Sequence, residues 1–173
     1  DADCVPATNN WITEMAAGFN NQNKQIVLGF GAYKKQKGFL NKLIRFETLQ
    51  SAMQYFSWAM LGNPYMGVGR NLAYTRPLFF AQRGFVPHMH IPGGDDDLFI
   101  NAAATSKNTA AVFTKESFTV SNPKNHYKDW FVQKRRHLST AKNYKAQHKT
   151  LLGLYGATQV LFVLSIIAAI VFS

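Results

Sequence analysis

The sequence predicts an α/β fold that ends in a membrane-crossing helix. Three observations predict it. Short apolar runs of strand length alternate with stretches whose apolar residues recur every three or four positions. Of the 173 residues, 47% are hydrophobic and only 16% charged, which excludes a disordered or low-complexity chain. The last stretch, Leu151 to Phe172, reads LLGLYGATQVLFVLSIIAAIVF and carries no charge. The mean hydropathy of −0.15 conceals this division between the ends of the chain. A single cysteine, Cys4, excludes an intramolecular disulfide framework and a Cys-rich zinc module, and a free thiol suits a reducing compartment.

The elements follow in order. Thr8 or Asn9 caps a helix expected over Asn9–Phe19, with Pro6 near its start. Gln25–Leu28 is a strand-length apolar run, followed by Gly29 and Gly31. Phe39–Leu61 places Leu40, Leu43, Ile44, Leu49, Met53, Phe56 and Met60 at helical spacing, and Gly62-Asn63-Pro64 stops it. Gly67–Tyr74 reads as a strand, and Pro77–Arg83 as a short helix closed by Gly84. Asp95–Ser106 begins with acids and continues with Leu98, Ile100 and alanines, a helix with its negative charge at the favourable end. Ala110–Thr114 and Ser117–Val120 lean towards β. There is no internal repeat.

A helix over Leu151–Phe172 would be about 33 Å long, enough to cross a bilayer core. It shows no polar face after Gln159, unlike a buried core helix, and it lies at the wrong end of the chain for a signal peptide. Lys124 to Lys149, just before it, holds eight basic residues and one acid, Asp129, which supplies most of the net charge of +10. A basic run abutting a span is the positive-inside signature and attracts anionic membrane lipids, so the preceding residues are expected in the cytoplasm. No nucleic-acid motif accompanies the patch, and nucleic acid is not an expected partner. The chain divides into 1–123, a basic amphipathic interface region 124–150, and the span 151–173.

Five of the nine acids sit in two clusters, Asp1-Ala2-Asp3 and Asp95-Asp96-Asp97 after Gly93-Gly94. Adjacent carboxylates repel unless they face solvent, a cation or different directions. Two carboxylates at i and i+2 can reach one hard cation, Mg²⁺ or Mn²⁺. The plainer alternatives are a solvated acidic chain end for Asp1 and Asp3, and an acidic capping turn for Asp95–Asp97. Downstream, Trp130-Phe131-Val132-Gln133-Lys134-Arg135-Arg136-His137 sets a glutamine three residues ahead of an arginine in a basic helix.

In order and approximate spacing, these residues resemble the inverting, membrane-bound family 2 glycosyltransferases of GT-A fold. That family carries a DxD, an acidic motif ending in Asp at a helix start, a QxxRW on an interface helix, and then membrane spans. The resemblance covers the whole chain and is most specific over Gly93–Asn101 and Trp130–His137. It implies the C-terminal half of a GT-A, Rossmann-like domain, opening at the DxD, with the nucleotide-binding half expected upstream and this portion alone inactive. It implies that Asp1 and Asp3 hold the metal, and that Asp96 is the general base, with Asp95 the alternative one position earlier. By the same resemblance Gln133, Arg136, His137 and Asp97 bind substrate, and Lys134 and Arg135 turn towards lipid head groups. The implied substrates are a nucleotide-sugar donor, a UDP-sugar first among them, and a glycan or lipid-linked acceptor of the kind used in polysaccharide and cell-envelope synthesis.

His137 stands where the family has Trp, which exchanges a stacking platform for a smaller, titratable ring and favours transfer of one or a few sugars. Gly67-Val68-Gly69-Arg70-Asn71 lacks the lysine and third glycine of a phosphate loop, so Arg70 and Asn71 read as turn residues near the acceptor. His88-Met89-His90 has metal-compatible spacing without a third ligand. Trp58, Tyr55 and Phe56 read as core, and Trp11 as a candidate lining for an acceptor cleft. Two other classes fit less of the pattern: a membrane-anchored metal-dependent phosphotransferase or hydrolase, and a non-catalytic membrane scaffold with a basic collar.

Overall fold

The computed structural model describes residues 3–20 and 23–172. It shows a mixed α/β body built on two small sheets, followed by a long C-terminal helix. Strand β2 (Ile26–Leu28) is wholly buried. It runs between β4 (Leu72–Tyr74), which is antiparallel to it, and β5 (Thr109–Ala111), which is parallel. A central strand covered on both faces is apolar at every position rather than at alternate ones, which is why Ile-Val-Leu suits it.

Two residues further on, the same chain enters the second sheet as β3 (Gly31–Tyr33). There β3 runs parallel to β6 (Thr119–Ser121), whose other edge carries β1 (Val5–Pro6) in antiparallel register. The switch between sheets at Gly29-Phe30 is held by Asn71, 1% exposed. The Asn71 carbonyl accepts from Gly29 N–H at 2.9 Å. Its side-chain Nδ2 donates to the carbonyls of Phe30 and Ser117 at 3.0 and 2.7 Å. Its Oδ1 accepts from the indole of Trp11, on helix α1 (Trp11–Ala17), at 3.1 Å. A Cβ at Gly29 would lie 2.5 Å from that amide, so only glycine allows the approach.

Helix α2 (Phe39–Met60) lays Leu40, Ile44, Ala52, Tyr55 and Phe56 on the sheets, and the Tyr55 hydroxyl donates to Gly29 O at 2.8 Å. It stops where Gly62 turns left-handed (φ +82°) ahead of Asn63 and Pro64. Helix α3 (Arg76–Ala81) starts with Pro77 in its first turn and brings Phe79 against Tyr74, Phe85 and Phe99. Phe99 joins Ile26, Leu28, Leu98 and Ile100 in the buried core, against which the half-buried Tyr74, Phe79 and Phe85 pack. Each fully buried core side chain stabilises the body by roughly 1.5–3 kcal/mol.

Helix α4 (Asp97–Ala103) follows the acidic triplet. Helix α5 (Tyr127–Thr140) is joined to α6 (Ala146–Val171) through a 3-10 turn at Ala141–Asn143. Helix α6 is long and apolar enough to cross a membrane.

Several boundaries differ from the sequence reading. The strand expected over Gly67–Tyr74 keeps only its last three residues, because Gly67–Asn71 bends to bring Gly69 to the acidic triplet. The helix expected from Asp95 begins at Asp97, since Asp96 serves as its cap. The helix expected over Asn9–Phe19 contracts to Trp11–Ala17, and β1 and β3 are additional strands. The basic region 124–150 is interrupted by the turn at Ala141–Asn143, so the long helix starts five residues before Leu151 and carries Lys149.

Candidate active site

One cavity of about 550 Å³ lies between the sheets, α2, α4 and α5. Asp95, Asp96 and Asp97 line it together with Arg70, Gln133, Lys134, Arg136 and His137. The two groups are far apart in sequence; the return of α5 across the body brings them together. Apolar lining comes from Met66, Leu138, Ala141 and Leu152, the last from the second turn of α6.

The three aspartates have three different environments. Asp95 is exposed. Asp96 caps α4: its Oδ1 accepts from Asp97 N–H at 2.7 Å, and its Oδ2 from Gly69 N–H at 2.6 Å. Burial raises its proton affinity above that of an ordinary carboxylate, the Gly69 hydrogen bond opposes this, and Asp97 adds to the rise. Asp97 is 7% exposed. Its Oδ2 accepts from Thr140 Oγ1 at 2.5 Å and from Tyr144 OH at 2.7 Å, while its Oδ1 has no partner among the described residues. Burial, reinforced by the Asp97 charge, keeps the Tyr144 phenol protonated.

Cationic side chains line the same cavity. The Arg70 guanidinium lies 4.1 Å from the Tyr33 ring centre and donates to Ala32 O and Ser121 Oγ, both at 3.4 Å. Gln133 Nε2 donates to Tyr33 OH at 3.4 Å. Glu47 on α2 anchors α5 twice, accepting from Trp130 Nε1 at 3.1 Å and pairing with Lys134 at 3.2 Å. Arg136 lies over Gly93 (φ +77°), where a Cβ would meet its side chain at 3.1 Å. The His137 ring is pushed down to about 4 by desolvation against the cavity wall and then by Arg136, Lys134 and Arg70, so it is neutral near pH 7.

Of the residues singled out from the sequence, Asp95, Asp96, Asp97, Gln133, Arg136 and His137 line this one cavity. Lys134 lines it too, tied to Glu47, whereas Arg135 is exposed. Asp1 lies outside the described residues. Asp3 is exposed just before β1 and accepts from the Cys4 thiol at 3.7 Å; burial and then the Asp3 charge push that thiol up. Arg70 and Ser121 also act on Cys4, and neither Asp3 nor Cys4 lines the cavity. Among the described residues no three His, Cys, Asp or Glu side chains gather as a metal-binding group; His88 ends a 3-10 turn, and His90 lies two residues beyond it. Trp11 does not line the cavity; it bonds to Asn71. Sequence reasoning set Arg70 in a turn near the acceptor, and the cavity includes it; it missed the partners of Asp97, because nothing local to Thr140 and Tyr144 marks them. No protein-family model matches the chain, and no curated protein matches it.

Proposed function

We propose that this chain carries the acceptor-side part of an inverting, membrane-bound glycosyltransferase of GT-A type, working at the cytoplasmic face. The observation that supports the reading is the meeting, in one cavity, of a helix-capping, partly buried carboxylate with cationic and amide side chains. A fixed carboxylate and cations in one cavity suit a reaction that removes a proton at one oxygen while negative charge grows on another.

In this reading Asp96 takes the proton of an acceptor hydroxyl as that oxygen bonds to the anomeric carbon of the donor sugar. The bond from that carbon to the diphosphate breaks, and its electron pair leaves on the diphosphate oxygen. Arg136 and Gln133 donate to the departing diphosphate, for which the guanidinium fork is well shaped. Asp3 offers a hard, exposed carboxylate suited to Mg²⁺ or Mn²⁺ with Asp1, and such a cation would neutralise leaving-group charge. Neutral His137 contacts the acceptor.

The test is nucleoside diphosphate release from a panel of nucleotide sugars by membranes carrying a version of the protein extended upstream of Asp1, with Mg²⁺ or Mn²⁺. Metal-dependent release that yields a glycoside and disappears in Asp96→Asn is the expected result. Release without a glycoside would assign a hydrolase instead. No release with any donor, from inserted and folded protein, would overturn the reading in favour of a scaffold.

A further inference from the structure

Asp97 and Asn101 lie four residues apart on α4 and so share a face. Both are buried, and both are gripped by the segment that leads into the long apolar helix. Asp97 Oδ2 holds the hydroxyls of Thr140 and Tyr144. Asn101 Oδ1 accepts from the Lys145 backbone N–H at 2.9 Å, and its Nδ2 donates to Tyr65 O at 2.7 Å and to His148 Nδ1 at 2.9 Å. Lys145 Nζ adds a bond to Ala102 O at 3.2 Å. His148, 2% exposed, places its other nitrogen 3.2 Å from Asn63 Oδ1. Because Asn101 donates to Nδ1, the network assigns the ring hydrogen to Nε2, which donates to Asn63.

On α6 the inward residues are His148, Leu152 and Tyr155, at spacings of four and three, and every described residue after Tyr155 is exposed. The root of α6 therefore belongs to the body, and the remainder projects from it as a lever. The projecting part, 156–171, is 16 residues and about 24 Å long against a hydrocarbon core of about 30 Å, so a thicker bilayer must thin around it and load its rooted end. No flexible linker separates that lever from α4. Directional hydrogen bonds between α4 and the root of α6 resist sliding and so carry displacement from one to the other.

We infer that the Asp97–Thr140–Tyr144 and Asn101–Lys145–His148 bonds form a positioning latch through which the membrane helix sets the placement of Asp96, so that bilayer thickness regulates the site. The mechanical coupling stands on these contacts alone, and its effect on turnover rests on the proposed transferase reading. Asn101 and His148 touch no reacting atom in that reading; they act through α4 on its cap, Asp96, and on the Gly69 N–H that binds it.

The test is hydrogen exchange of the full chain in nanodiscs of C14:1 or C22:1 phosphatidylcholine, read on the segment 66–72 that contains Gly69. The wild type is expected to exchange at least threefold differently in the two bilayers. In Asn101→Leu/His148→Leu the difference should vanish while β2 stays protected. Should that double variant lose β2 protection, Tyr144→Phe, which removes one bond, must give a smaller thickness response than wild type. Equal exchange of the wild type in both bilayers, or an undiminished difference in the folded variants, overturns the latch. These readouts need no substrate, so a failed transferase assay leaves them untouched. Where transfer is measurable, the latch variants should flatten the dependence of kcat on thickness and leave the donor KM unchanged.

Discussion

The backbone N–H of Gly69 donates to Oδ2 of Asp96 at 2.6 Å, tying the turn before β4 to the cap of α4 across 27 positions of sequence. With Asp97 N–H on the other oxygen, the carboxylate cannot rotate, yet each oxygen keeps a lone pair for a substrate. A fixed, partly desolvated carboxylate suits a proton acceptor better than a free one, because the orientation is set before the reaction begins.

Asp96→Asn is expected to lower turnover by about 10²- to 10⁴-fold, the usual contribution of a general base. Asp95→Asn should cost less than about 10-fold, since an exposed neighbour contributes charge but not the fixed geometry. Nucleoside diphosphate release by the two variants checks this, and the reverse ranking would move the base to Asp95.

The raised proton affinity of Asp96 sets the acid limb of the rate profile. The base must be ionised, so the rate should fall as pH drops through a midpoint above the ordinary carboxylate range. Measuring kcat/KM against pH in the wild type reads that midpoint directly. A midpoint within the ordinary range would separate the rate from Asp96.

His137 titrates near 4 in the folded protein against about 6.5 when unfolded, so folding opposes its protonation. The stability associated with the neutral ring is complete above about pH 6.5 and declines as pH falls towards 4. Unfolding midpoints of wild type and His137→Gln should therefore converge in acid and separate in the wild type's favour towards neutral pH. A pH-independent difference would show that the ring titrates normally.

Asn71→Ala strands the carbonyls of Phe30 and Ser117 and the Trp11 indole at the switch between the sheets. A loss of about 2–4 kcal/mol is expected from removing a buried amide with this many partners, read as a shift in the denaturant midpoint. A change under about 0.5 kcal/mol would mean that water replaces the amide.

The basic residues at the root of α6 place the body in the cytoplasm under the proposed reading. In a Cys4→Ser background, Ser139→Cys should react with an impermeant thiol reagent only after intact cells are made permeable. Labelling of intact cells would reverse the orientation.

Much of the helical framework was legible because its signals are local. The spacing that marked Phe39–Leu61 and the charge-free run from Leu151 both survive as long helices, and Gly62 ends α2 as a glycine at that place should. The strands were less legible. β1 and β3 have two and three residues, too few to show a period of two, and β3 exists only because the chain bends at Gly29 and pairs with β6.

The cavity was legible as residue types and not as an arrangement. Three consecutive aspartates look equivalent in sequence. Tertiary contacts made Asp95 exposed, Asp96 a cap and Asp97 a buried acceptor for Thr140 and Tyr144. Asn71, Asn101 and His148 carry no local mark, because partners such as Phe30, Tyr65 and Asn63 lie 41, 36 and 85 positions away.

What the sequence determined by itself is whatever rests on contacts within a turn or two of helix: where helices run and stop, which end is basic, and which helix is apolar enough to cross a bilayer. Only the tertiary structure decided which acid is fixed, which cations share its cavity and how the apolar helix is rooted in the body. Those outcomes depend on hydrogen bonds and burial between segments distant in the chain, whose strength is set by surroundings that no local pattern encodes.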